Sequence, residues 1–188
     1  MWISIAGVAV LYLVLGFVLQ GGGGKDARPE QTLIPGGILE RYIGGGDKET
    51  ISGRDGFRLS FPVQPDRSVS GSGSNSAVGY TASTEQTQFS VAVSAYKGKQ
   101  VEGEALQSEL RNIMGLFARQ ARGELLSTRF VNVDGLTAIE FEIRLEGGYS
   151  NGRALVNGRR FILYQVVSPS RLSPAFRTFV NSFELVDS

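Results

Sequence analysis

Three glycine-containing breaks divide residues 125–167: Asp134-Gly135, Gly147-Gly148 and Asn157-Gly158. The runs between them are LLSTRFVNV, LTAIEFEIRLE, YSNGRALVN and RRFILYQVV. Each is rich in β-branched and aromatic residues and too short for a long helix, which reads as a strand. Strands joined by tight two-residue turns are antiparallel neighbours. Nearly a quarter of the chain is thereby committed to a four-stranded meander, and whatever else folds has to pack against it.

Turn arithmetic assigns the faces. With Asn157-Gly158 as a two-residue type I′ turn, Val156 opposes Arg159, Leu155 opposes Arg160, Ala154 opposes Phe161 and Arg153 opposes Ile162. Cross-strand partners share a face. One face then holds Ala154, Val156, Phe161 and Leu163, and the other Arg153, Leu155, Arg160, Ile162 and Tyr164. With Gly147-Gly148 as the same kind of turn, Phe141 falls opposite Ala154 and Ile139 opposite Val156, so apolar positions meet apolar positions. On the other face Glu142 falls opposite Arg153, and Glu140 lies across from Leu155 with Arg160 one strand further on. The arginines are expected to form a cross-strand charge ladder with Glu140 and Glu142. The competing reading makes Tyr149, Arg153, Arg160 and Tyr164 a face that binds a partner. Gln165 has the parity of Phe161 and Leu163 and interrupts the apolar face, which a bulge or the strand end would explain.

Upstream, GFRLSFPVQP places Phe57, Leu59 and Phe61 on one face of a strand ended by Pro62 and Pro65. RSVSGSGSNSAVGYTAS is weakly patterned and reads as a frayed edge hairpin, while TQFSVAVSAY alternates with Phe89, Val91 and Val93 together. The period then changes. Leu106, Leu110, Ile113, Met114, Phe117 and Ala121 follow helical spacing, as do Leu172, Ala175, Phe176, Phe179, Val180 and Phe183 near the end. Ser173 and Pro174 suit the N-cap and first-turn positions of that last helix. Strands, a helix, a meander and a helix give an α+β fold: an antiparallel sheet flanked by helices, over residues 51–188.

Residues 2–19 carry no charge and no proline. As a helix they would span about 27 Å, near the roughly 30 Å hydrocarbon core of a bilayer. Signal peptides have a shorter apolar region with a basic segment before it and a small-residue cleavage site after it, none of which is clear here. Residues 1–20 are therefore expected to be a transmembrane anchor, and the Gly-rich residues 21–50 a flexible tether, with ILERYIGGG making one helical turn. Met1 opens almost directly on apolar residues, as an internal methionine of a longer chain would. Lys25 and Arg28 follow the span and no cation precedes it. Read literally, that charge count puts the C-terminal part in the cytoplasm, against the location favoured below.

Composition removes several functions. The chain has no cysteine and no histidine, which excludes disulfides, thiol nucleophiles, Ser-His-Asp triads and nearly all zinc chemistry. A net charge of +1 sets up no field toward nucleic acid. GGGG at 21–24 lacks the strand, helix and Gly-Lys-Ser/Thr ending of a phosphate loop. Glu140 and Glu142 could be paired for acid–base work, but carboxylates two apart on a strand and facing arginines more often stabilise structure.

The opening strand GFRLSFP-x-x-P, the FSVAVS strand followed by Tyr96, the central amphipathic helix and the ending NGRRFILYQVV…AFRTFVNSFEL together resemble the PsbP-like α/β/α sandwich superfamily. The resemblance covers residues 51–186 and rests on Phe57, Pro62, Phe89, Gly158, Phe179, Phe183 and Leu185. That superfamily holds extrinsic photosystem proteins, a nuclear-import factor that binds a small GTPase, and uncharacterised bacterial domains tethered outside the cytoplasmic membrane. The anchor and tether look most like the bacterial members. The resemblance implies a non-catalytic interaction module. The reading favoured is a membrane-tethered domain outside the cytoplasm, without cofactor or metal, that binds an unknown protein or envelope partner through the exposed sheet edge or the Arg/Tyr face. The alternative is a small-molecule or lipid binder with a cavity between sheet and helix near Phe117 or Phe176.

Overall fold

The structure, a computed structural model, describes residues 49–52, 56–71, 76–171 and 174–186. The expected anchor, nearly all of the tether, and the N-cap Ser173 lie outside the described residues. The chain runs through β1 (Glu49–Ser52), β2 (Phe57–Phe61), β3 (Asp66–Ser70), β4 (Ala77–Ser83), β5 (Gln88–Ala95), α1 (Gly103–Gln120), β6 (Glu124–Val133), β7 (Leu136–Leu145), β8 (Gly148–Asn157), β9 (Arg160–Ser168), α2 (Pro174–Val180) and β10 (Glu184–Leu185). A seven-stranded antiparallel sheet has the order β3-β4-β5-β9-β8-β7-β6, and a three-stranded sheet the order β1-β2-β10. The meander β6–β9 is the one read from the sequence.

The large sheet is covered on both sides. Helix α1 turns Leu110, Met114, Phe117 and Ala118 onto Ile139, Phe141, Ile143, Ala154, Phe161 and Leu163. The opposite face receives α2 and the small sheet, where Phe57, Leu59 and Phe61 meet Val91, Leu155, Ile162 and Tyr164. Aromatic rings join these layers. Phe183 stacks on Tyr164 at 4.3 Å and on Phe57 at 5.9 Å, and Phe179 sits edge-on to both Phe61 and Phe89. Each such ring removed from water contributes roughly 1.5–3 kcal/mol.

Both hairpin registers differ from the sequence expectation by two residues. Leu145 pairs with Gly148 around Glu146-Gly147, and Asn157 pairs with Arg160 around Gly158-Arg159. The cause is the turn type. A type I′ turn needs φ > 0 at both central residues, as Asp134 (49°) and Gly135 (86°) supply between β6 and β7. The other two turns have one such residue each, Gly147 at 86° and Gly158 at 59°, and each turn closes around its own glycine. A slip of two residues preserves side-chain parity, so the faces stand as expected while the partners change. Gln165 needs no bulge: it is buried, and its carbonyl oxygen accepts a hydrogen bond from Ser150 Oγ at 2.8 Å.

Gly152 lies under the ring of Phe141. A Cβ there would come within 2.5 Å of Phe141 Cζ and 2.6 Å of the Tyr164 carbonyl oxygen. Gly152→Ala is expected to cost about 1–3 kcal/mol of stability, the usual penalty for overpacking, read by urea unfolding. A variant as stable as the wild type would show that the β7–β8–β9 packing is looser than described.

Candidate functional site: an arginine–glutamate strip at the edge of the sheet

The residues expected to form a partner face lie on one side of the sheet, spread along its length, and one of them is buried. Arg160 pairs with Asn157, and Tyr149 with Ser168, at opposite ends of the β8–β9 ladder. The two are eight positions apart, roughly 26 Å at about 3.3 Å per residue. Tyr164 is completely buried, because α2 and β10 bring Phe183 flat onto its ring. Arg160 lies against Gly56, the residue before β2, where its Nη1 occupies the place an added Cβ would need. Only Arg153 and Tyr164 are direct cross-strand partners.

The charge ladder exists with different members. Arg153 pairs across with Glu140 rather than Glu142. Glu140 divides its oxygens between two arginines: Oε2 accepts Arg153 Nε at 2.8 Å, and Oε1 accepts Arg129 Nε at 2.6 Å. Glu142 takes Arg171, from Nε to Oε1 at 2.7 Å and from Nη2 to Oε2 at 3.3 Å. Arg171 follows β9 in the connection to α2. It is anchored a second time through its carbonyl oxygen, which accepts a hydrogen bond from Asn151 Nδ2 at 3.1 Å. Glu124 and Arg144 form a further pair at the outer end of the same face. Arg160 takes no part in the ladder.

This strip occupies the part of β6 and β7 where the aromatic cover ends. Its carboxylates are the buried layer, with Glu140 at 12% and Glu142 at 11% side-chain exposure, while Arg129 at 71% and Arg171 at 60% point outward. The hydrogen bond and charge of Glu142, then the neighbouring Tyr149, hold Arg171 above the ordinary guanidinium range. Both glutamates turn both oxygens to arginines, with Glu142 Oε2 also accepting from Ser127 Oγ, an arrangement suited to orienting guanidinium groups. Arg129 was legible in the sequence, since the Asp134-Gly135 turn places it opposite Glu140. Arg171 was not, because its position depends on how the connection to α2 folds back.

Tyr164 Oη is buried with no hydrogen-bond partner among the described residues. Burial pushes its pKa up to about 12, partly offset by the nearby Arg153 guanidinium. Beneath Phe117 the space between α1 and the sheet is about 10 Å³, bordered by Ile143, Ser150 and Gln165. That is the scale of a single water molecule rather than of a lipid. Among the described residues no group of three or more acidic side chains could hold a metal ion.

No protein-family model matches the sequence, and no curated protein does. The solution structure of cyanobacterial PsbP from Synechocystis is similar to this chain with a TM-score of 0.57 at 13% identity, over 80% of this chain and 98% of that one. The fold is therefore PsbP-like. A protein of unknown function from Pseudomonas aeruginosa aligns over 69% of this chain and 85% of its own at 14% identity, with a TM-score of 0.35.

Two stability changes follow. Glu140→Ala strands Arg153, whose side chain is only 17% exposed, and is expected to cost about 2–4 kcal/mol in chemical denaturation, somewhat less than a fully buried pair. Arg129→Ala leaves the Glu140–Arg153 pair intact and is expected to cost under about 1 kcal/mol. Tyr164 keeps its proton in the folded state over a pH range where the unfolded chain loses it. Its contribution is present below about pH 10 and declines as pH rises toward 12, by up to about 1.4 kcal/mol per pH unit. Burial, and then Glu109, also raise the pKa of Tyr96, so Tyr164→Phe is expected to lessen the decline in a pH series of unfolding midpoints rather than abolish it; an unchanged slope would show that Tyr164 is not among its sources.

Proposed function

We propose that this chain is a non-catalytic interaction domain, held to a membrane by residues 1–20 and displayed outside the cytoplasm on the tether of residues 21–50. The observation that carries the non-catalytic part is the state of the strip. Glu140 and Glu142, the acidic pair that acid–base chemistry would use, each spend their oxygens on arginines. The water-sized space under Phe117 supports a binding surface over an internal ligand chamber at that place. The PsbP-like fold agrees with a binding role in general terms. The anchor rests on the uncharged apolar run 2–19. Among the described residues no helix is long and apolar enough to cross a membrane.

Sidedness is tested by fusing alkaline phosphatase after Ser188 in a bacterium, with a cytoplasmic reporter in parallel. Active phosphatase on an uncleaved chain is the expected result. A silent phosphatase with an active cytoplasmic reporter would overturn the location and vindicate the charge count around Lys25 and Arg28.

A further inference from the structure

The large sheet has two edges, and they differ. Strand β3 is five residues long and β6 is ten. Strand β6 has β7 on one side and no strand on the other among the described residues. Its register shifts once, between Leu125 and Ser127, and from Ser127 to Val133 it runs regularly against β7. An edge of this kind offers a row of backbone donors and acceptors to an added strand.

The strip borders this edge, and its charges are sorted by depth. Glu140, Glu142 and Arg153 form the inner layer, at 17% side-chain exposure or less. The outer layer holds Arg129, Arg144 and Arg171 against one acid, Glu124, each more than half exposed. An approaching chain therefore meets an excess of guanidinium. Arg129 and Arg171 are held in fixed orientations by Glu140 and Glu142, two residues apart on β7. Alternate side chains of a strand added to β6 would fall on that face at the same spacing, roughly 6.6–6.8 Å.

We propose that the edge of β6 takes an extended, acidic segment of a partner protein, which adds as a strand and places alternate carboxylates over Arg129 and the neighbouring arginines. Backbone pairing supplies the seat, and the oriented guanidinium groups select for acidic side chains. The proposal rests on the interaction-domain reading above and names the chemistry of its partner.

The test uses the full chain in detergent micelles and a fluorescein-labelled decapeptide with glutamate at every second position and threonine or valine between. Three comparison peptides carry glutamine for glutamate, lysine for glutamate, or N-methyl groups on alternate backbone nitrogens. Anisotropy is expected to show binding of the glutamate peptide that weakens with added salt. The glutamine and N-methyl peptides should bind about tenfold more weakly or worse, and the lysine peptide not at all. Hydrogen exchange should gain protection across residues 127–133 and not in β3. Arg129→Gln, which leaves Glu140 paired with Arg153, should weaken the glutamate peptide by about tenfold.

Absence of binding at millimolar peptide, equal binding of the glutamine or N-methyl peptide, or protection at β3 would each overturn the proposal. So would an edge already protected without peptide in a dimeric protein, which would give β6 to a second copy. If Arg129→Gln fails to fold, the peptide comparisons on the wild type still decide. A domain shown outside the cytoplasm by the phosphatase fusion, yet failing these tests, would keep the earlier reading and lose only this surface.

Discussion

The stack of Phe183 between Tyr164 and Phe57 joins three parts of the chain that are far apart in sequence. Tyr164 belongs to a central strand of the large sheet, Phe57 to the small sheet, and Phe183 to the segment between α2 and β10. The stack covers the middle of one face of the large sheet and ties the segment before β10 to it, while the Arg58–Glu184 pair and the Leu185 N–H bond to Asp134 hold β10 itself beside β2. A second aromatic group, Phe61 and Phe89 around Phe179, closes the same layer from α2. Burial of both sheet faces is what lets central strands carry tyrosine, glutamine and serine together: every polar atom there must find a partner or bear the cost of lacking one. Ser150 Oγ and Gln165 Oε1 satisfy each other, whereas Tyr164 Oη and Ser94 Oγ find no partner among the described residues.

The strip on β6 and β7 follows from where the aromatic cover stops. Leu155, Ile162 and Tyr164 occupy the covered face, and Arg153, on that same face, lies at the margin. At the margin a carboxylate can be mostly buried if cations close over it. Glu140 and Glu142 do this with arginines drawn from β6, β8 and the connection between β9 and α2. The arrangement stiffens the edge of the sheet and turns positive groups outward. Surface ion pairs contribute little one by one, but a shared, poorly hydrated carboxylate such as Glu140 couples two of them.

How much was legible in the sequence varies from residue to residue. The strands of the meander and the stripes Leu110–Met114–Phe117 and Phe179–Val180–Phe183 followed from periodicity, because period alone says which side chains share a face. The pairing of Arg153 with Glu142 did not hold, because a turn with one positive φ closes one residue from the expected position, which moves the register by two. Tyr149, Arg153, Arg160 and Tyr164 share a side of the sheet as expected but are spread along it, for another reason. Parity places residues on a face without saying how far apart they lie or what covers them, and the cover over Tyr164 comes from Phe183, nineteen positions further along the chain.

By itself the sequence determined the strand and helix periods, the two faces of the meander, and the absence of every cysteine- and histidine-dependent chemistry. These are local or compositional properties, carried by neighbouring residues or by counts. The tertiary structure decided which arginine meets which glutamate, which tyrosine is buried, and that β6 forms one edge of the large sheet. Those depend on turn geometry and on the return of α2 and β10 across the sheet, contacts between residues too far apart in the chain for any local pattern to record.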